Sequence, residues 1–293
     1  MKILEDLKLL NRIGGASNKI IYWNVGLFAI PYIVFGLLSL FNIQIDFLKY
    51  VSLSSNPIDL LWKPWSLFTY AFFHSGFFHI LFNMLILNFS SRLFLNYFSQ
   101  KQFLSLYFVG SLFAGIIYIL SYFLFPSLAH LQVSLVGASG AIMAILFAAA
   151  TYSPLTEIRL FLFGNVKLWH IALALIVIDL VQLPLENTGG HLAHLGGALF
   201  GYLYIKQLQN GNDLAGWFTK IVATFVNLFN PKKKTPFKKI HKNYVAPTPK
   251  TASKIVTKDK NQQQIDEILD KISQSGYDSL SQEDKAFLFK AGK

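Results

Sequence analysis

Cysteine is absent from this 293-residue chain, so it forms no disulfide, offers no thiolate nucleophile and has no Cys-based metal site. Charge is scarce as well. Only 14% of residues are charged against 53% hydrophobic, a balance that excludes a soluble domain of ordinary composition and points to several membrane spans. Acidic residues are the rarer sign, 15 against 26 basic, for a net charge of +11. The imbalance is concentrated: Asn230 to Lys293 holds 14 of the basic and 7 of the acidic residues, which leaves that stretch at +7 and the rest at +4. A basic excess can mean nucleic acid, but no recognition motif accompanies it. Beside membrane spans it reads as a cytoplasmic face near anionic lipid, so the lipid bilayer is the expected partner and nucleic acid is not. No small-residue cleavage site follows the basic segment Met1 to Lys19, so the first span is expected to be retained and not removed as a signal peptide.

A bilayer-spanning helix needs roughly twenty mostly apolar residues. Six segments qualify: Ile20 to Phe41, Ser66 to Leu95, Lys101 to Phe125, Ser139 to Tyr152, Val166 to Leu183 and His191 to Leu208. The fourth is short, which predicts a helix that starts below the membrane surface with Pro126 to Ala138 dipping in to meet it. Irregular backbone at that depth survives only where protein or a water-filled cavity receives it, so Val133 to Ala138 is expected to line a wet pocket. Lys and Arg alternate between loops as six spans require. The N-terminal segment, Arg92 with Lys101, Arg159 with Lys167, and the tail fall on one side, placing both termini in the cytoplasm. The long first external loop, Asn42 to Trp65, is either an interfacial piece or an ordinary ordered loop.

Chemistry resides in three strings. Gly137-Ala138-Ser139-Gly140 opens the fourth span, and a Ser in the first turn of a helix has free N–H groups and the positive end of the helix dipole around it, which suits a developing oxyanion. The competing reading is a small-residue packing motif with Ser139 as a helix cap. Ala193-His194-Leu195-Gly196-Gly197 enters the sixth span. Histidine inside a span is costly, and a neutral imidazole is the usual base for a serine hydroxyl. His194, Gly197 and Gly201 share one helix face, so the glycines admit a close partner helix, which Ser139, Gly140, Ala144 and Ala148 would supply. His191, at the edge of the span, is the competing base. In the second span His79 and Asn83 lie four apart on one face; they suit an oxyanion, a metal, or simple bonding between helices, with zinc lacking a third ligand nearby. His74, nearer the loop, reads as structural.

The three motifs, His79-x-x-x-Asn83, Gly137-x-Ser139-Gly140 and Ala193-His194-x-Gly196-Gly197, occur together in an order that resembles the rhomboid family of intramembrane serine proteases, over Trp65 to about Tyr204. The resemblance implies an all-α membrane protein with a six-transmembrane-helix bundle. It implies a Ser139–His194 dyad and an oxyanion hole from the Ser139 N–H, His79 and Asn83. Gly137, Gly140, Gly197, Gly201 and Met143 would support the site, and substrates would be membrane-anchored proteins cut in or near a transmembrane helix. No cofactor or metal is implied, and no particular oligomeric state. A bacterial inner membrane is the location it suggests.

The expected organisation is a cytoplasmic segment over 1–19, the six-helix domain over 20–208, an amphipathic surface helix over 209–230, a basic disordered linker over 231–264 and a short helical hairpin over 265–293. Two departures from the family pattern stand out. Trp65-Ser66 replaces a Trp-Arg pair common at the end of the first loop, and Met143 stands where an aromatic often packs on the catalytic His. Asp179, within the fifth span, is not expected to act as a third catalytic member, because the family works as a dyad. The rival readings are a non-proteolytic rhomboid-like client-binding protein and a transporter whose polar residues line a route.

Overall fold

The computed structural model describes residues 15–161, 163–229 and 260–291, and the chain divides into two compact units, residues 1–232 and 233–293. The expected N-terminal segment up to residue 14 and most of the expected linker lie outside the described residues. The first unit is mostly helical. Its main helices are α1 (Gly15–Ser39), α2 (Phe77–Leu95), α3 (Gln100–Leu124), α4 (Ser139–Tyr152), α5 (Leu168–Gln182), α6 (Thr188–Gln209) and α7 (Gly216–Phe229). Three of these, α1, α2 and α3, are long and apolar enough to cross a membrane, and α4 and α5 are shorter apolar helices.

The packing is that of a protein in lipid. In α1 the buried residues are Ala16, Ser17, Ile20 and Asn24, while Trp23, Ile30, Ile33 and Leu37 are exposed. Apart from Ile20 the buried side chains are small or polar, and the large apolar ones face outward, because lipid gives no hydrophobic reward for hiding them. Two of the buried polar groups in α1 are paired: Ser17 Oγ lies 2.6 Å from Ser91 Oγ, and the Asn24 amide nitrogen donates to the Ile20 carbonyl at 2.8 Å. A capping box starts α3, where Ser99 Oγ accepts from the Gln102 N–H at 3.3 Å and Gln102 Oε1 accepts from the Ser99 N–H at 3.0 Å. Helix α4 sits at the centre, with ten of its fourteen residues buried. Outside the core, α7 lies against α3 through stacked Phe218 and Phe108 rings 4.8 Å apart.

The stretch leading to α4 is held from several sides. Strands β1 (Leu53–Ser54) and β2 (Ser134–Leu135) pair antiparallel, Leu53 opposite Leu135. The Ser55 N–H donates to the Val133 carbonyl at 3.0 Å, Tyr118 Oη donates to the same carbonyl at 3.0 Å, and the Gly137 N–H donates to the Tyr70 carbonyl at 2.9 Å. Each bond satisfies backbone that no helix serves. The first loop contains a helical turn at Leu48–Val51 besides β1. Its end is tied without an arginine, since Trp65 Nε1 donates to the Tyr50 carbonyl at 2.9 Å and Thr69 Oγ1 to the Val51 carbonyl at 2.7 Å.

Two expected spans are shorter as helices than the hydrophobic runs suggested. Ser66 to Leu95 is broken: a turn at Ser66–Thr69 and a 3-10 segment at Tyr70–Phe72 precede extended backbone at Phe73 and Gly76, and α2 begins only at Phe77. Polar His74-Ser75 interrupts the apolar run there. The start of Val166 to Leu183 belongs to an exposed hairpin, β3 (Glu157–Leu160) with β4 (Gly164–Lys167), turned at Gly164 with φ +69°.

The second unit contains α8 (Lys260–Ser275) and α9 (Gln282–Ala291). Gly276 closes α8 at φ +75°, its N–H donating to the Ile272 carbonyl at 2.9 Å, and Ser281 Oγ caps α9 by accepting from the Asp284 N–H at 3.1 Å.

Candidate active site

A cavity of about 530 Å³ opens among α2, α4, α5 and α6 and is lined by Ser139, His194, His79, Asn83, Met143, Asp179 and His191. Ser134, Leu135 and Val136 form part of its wall, so the expected pocket and its lining segment coincide. Helix α4 begins at Ser139, two residues after Gly137 at φ +128°, a conformation that L side chains rarely adopt. A methyl at Gly137 would stand 2.7 Å from His79 Nε2 and 3.7 Å from Ser139 Oγ, so the missing side chain leaves these two atoms facing one small space.

Helices α4 and α6 touch through backbone. A methyl on Gly197 would fall on the Gly140 carbonyl oxygen, and one on Gly201 on that of Ala144, while one on Gly140 would lie 2.6 Å from the Ala114 Cβ. Two turns of α6 are thereby pressed onto α4, and His194 is brought into the wall that holds Ser139. Among the described residues no hydrogen bond joins Ser139 Oγ to His194. They face the same cavity, and such bonds commonly tighten only when substrate is bound.

The two histidines are set in opposite tautomers. The Ser75 N–H points at His79 Nδ1 at 3.4 Å and Ser75 Oγ lies 3.0 Å from the same atom. A backbone N–H can only donate, so Nδ1 accepts and the neutral ring carries its proton on Nε2, the atom beside Gly137. His194 is the reverse. Its Nδ1 lies 2.9 Å from Asp179 Oδ1, and an ionised carboxylate only accepts, so Nδ1 carries the proton and Nε2 is left with a lone pair. Asn83 is buried at the cavity edge, where its amide nitrogen donates to the His79 carbonyl at 2.8 Å and keeps a second N–H.

Asp179 was set aside on sequence, yet it is buried, and its Oδ1 also meets His191 Nδ1 at 2.7 Å. No spacing in the sequence signals that pairing, because the partners belong to the next helix. Ser75 was also missed as a determinant of His79, although it stands four residues before it. Asp179, His191 and His194 form a cluster of metal-ligand type. A tetrahedral zinc with bonds of about 2.05 Å would hold its ligand atoms about 3.3 Å apart. The separations of 2.7 and 2.9 Å are those of hydrogen bonds. Met143 is buried beside the cavity, and His74 is fully buried with its ring edge-on to His79 at 5.1 Å.

Comparison with known proteins bears on the same region. A family described as "Rhomboid domain" matches residues 61–209, just over half of the chain, and a "Family of unknown function (DUF6576)" matches residues 256–290. The presenilin-associated rhomboid-like protein, mitochondrial, of Bos taurus is 35% identical over 191 residues, which is 61% of this chain and 47% of that protein. Its Homo sapiens counterpart is 33% identical over 190 residues, 61% of this chain and 46% of that protein. The Danio rerio form A is 34% identical over 139 residues, 46% of this chain and 35% of that protein. The chain thus spans less than half the length of each of these relatives. With long apolar helices, outward-facing apolar side chains and this match, the chain is a multispan helical membrane protein and belongs to the rhomboid family.

Proposed function

We propose that this protein is an intramembrane serine endopeptidase that cleaves membrane-anchored proteins in or near their transmembrane helices. Ser139 Oγ attacks the scissile carbonyl carbon while its proton passes to His194 Nε2. The carbonyl oxygen becomes an oxyanion held by the Ser139 N–H, His79 Nε2–H and the free Asn83 N–H. Collapse of this adduct breaks the C–N bond, and the His194 proton leaves with the amine. Water entering the cavity then attacks the acyl-enzyme, again deprotonated by His194, and releases the new carboxylate with Ser139 restored.

The observation that carries the reading is the pair of opposed tautomers around one cavity: a lone pair on His194 Nε2 and a donor on His79 Nε2, with a hydroxyl at a helix start in the same wall. Base and oxyanion donor are different histidines, as acyl transfer requires. We place the domain in a six-crossing arrangement, α1 to α6, with the basic loops and both basic ends on one face. The curated relatives are mitochondrial by name, which leaves the bacterial inner membrane expected from sequence without support, whereas the integral-membrane placement stands.

A fluorophosphonate probe tests the reading directly. It should label the wild-type protein at Ser139, and Ser139→Ala and His194→Ala should lose both labelling and cleavage of a reporter transmembrane substrate. A protein that binds such clients without labelling or cleaving would be a non-proteolytic member of the family.

A further inference from the structure

We propose that Asp179 is a positioning residue for His194, making the site a three-residue array in which a buried carboxylate on α5 fixes the tautomer of the base on α6. The inference rests on the Ser139–His194 reading above. Asp179 lies in the last turn of α5 with 4% of its surface exposed. One oxygen, Oδ1, receives both imidazoles, His194 Nδ1 at 2.9 Å and His191 Nδ1 at 2.7 Å. The rings stand nearly perpendicular, 86° apart with centroids at 5.8 Å, so they close on the carboxylate from two directions.

Three consequences follow from that geometry. The carboxylate oxygen accepts only, so it holds the proton of His194 on Nδ1 and keeps Nε2 free for the Ser139 proton. Its charge favours the imidazolium formed when that proton arrives. The bond also fixes the plane of the His194 ring. An unpaired carboxylate in an apolar helix facing lipid is strongly disfavoured, so its retention between two histidines of the cavity wall points to use at that site.

The groups around His194 that can carry charge are few. Asp179 comes from α5, His191 from its own helix and His79 from α2 across the cavity. Helix α4 presents Ser139 and Met143, and α3 approaches α6 nearby with Tyr118 and Tyr122 at Gly189. Removing Asp179 therefore removes the acceptor that holds the His194 Nδ1–H, and the fraction of enzyme with Nε2 free for the Ser139 proton should fall.

Asp179→Asn tests this in the full-length protein in detergent or liposomes, with Ser139→Ala beside it. The expected result is a loss in kcat on the order of a hundredfold, with KM changed by less than about threefold. Asp179→Glu, which can still accept from Nδ1, should recover part of the rate. An Asp179→Asn enzyme with wild-type kcat overturns the inference. So does one altered only in melting temperature or KM, because the carboxylate would then merely tie α5 to α6. Should Asp179→Asn not fold, ¹⁵N-histidine NMR of the wild-type protein decides: His194 protonated on Nδ1 supports the assignment, and a proton on Nε2 ends it. Cleavage retained by Ser139→Ala would instead remove the proposed function itself.

Discussion

Gly197 meets Gly140 backbone to backbone, with no space for a side chain between them. His194 stands three residues before the first and Ser139 one residue before the second, so this contact sets the distance across which a proton must move. Gly197→Ala should push α6 away from α4. The expected cost is about 1–3 kcal/mol of stability. Cleavage should fall by roughly a hundredfold, since about 1 Å of misplacement can cost that much in rate. Melting temperature and reporter cleavage read the two separately, and unchanged cleavage would show that the separation is governed elsewhere.

Gly137 is constrained twice. Its φ of +128° disfavours a side chain, and a methyl there would lie 2.7 Å from His79 Nε2. Gly137→Ala should displace His79 or the start of α4 and reduce kcat more than it reduces folded yield. A variant as active as wild type would mean that His79 need not approach this point.

The oxyanion donors should differ in weight. Asn83 keeps one N–H after donating to the His79 carbonyl, and losing an oxyanion donor commonly costs about a hundredfold or more in kcat. Asn83→Ala is expected near or below that figure, with KM little altered. Ser75→Ala removes a hydroxyl 3.0 Å from His79 Nδ1 but leaves the backbone N–H, so its loss should be only a few-fold. A larger effect at Ser75 than at Asn83 would reverse the assigned roles.

Cleavage by the wild-type protein should rise with pH to a plateau. His194 must be neutral to accept the Ser139 proton, so protonation at low pH removes the base and activity with it. Initial rates across pH at saturating reporter substrate measure this, and a rate that is flat through the acid range would exclude an imidazole base.

In the second unit, hydrogen bonding with Ser281 and the Lys271 ammonium, 3.3 Å away, hold the Asp284 carboxyl below the usual carboxylate range. A carboxyl depressed on folding contributes stability above its unfolded pKa and loses it as pH falls through the folded value. Protection factors over 282–291, with exchange rates corrected for the intrinsic rate at each pH, should therefore fall on acidification, and Ser281→Ala should lower them at neutral pH, the loss of such a cap costing about 1 kcal/mol. Exchange that ignores both changes would show that α9 does not depend on this cap.

Sequence alone determined the membrane character, the helical class, the short central helix starting at Ser139 and the lining of a cavity by the segment before it. These are legible because a bilayer imposes length and polarity on every segment separately, so each run of residues states its own environment. The face shared by His194, Gly197 and Gly201 was readable for the same reason, being a property of one helix. Tertiary structure alone decided where the second hydrophobic run breaks at His74 to Gly76, that Glu157 to Lys167 turns as a hairpin, and that Asp179 holds His194. Those outcomes depend on which segments meet, Glu157 to Leu160 with Gly164 to Lys167 and Asp179 with the next helix, and no single run states its partner. A carboxylate in a span has the same local signature whether it meets water or an imidazole, and only the packing of α5 against α6 distinguishes the two.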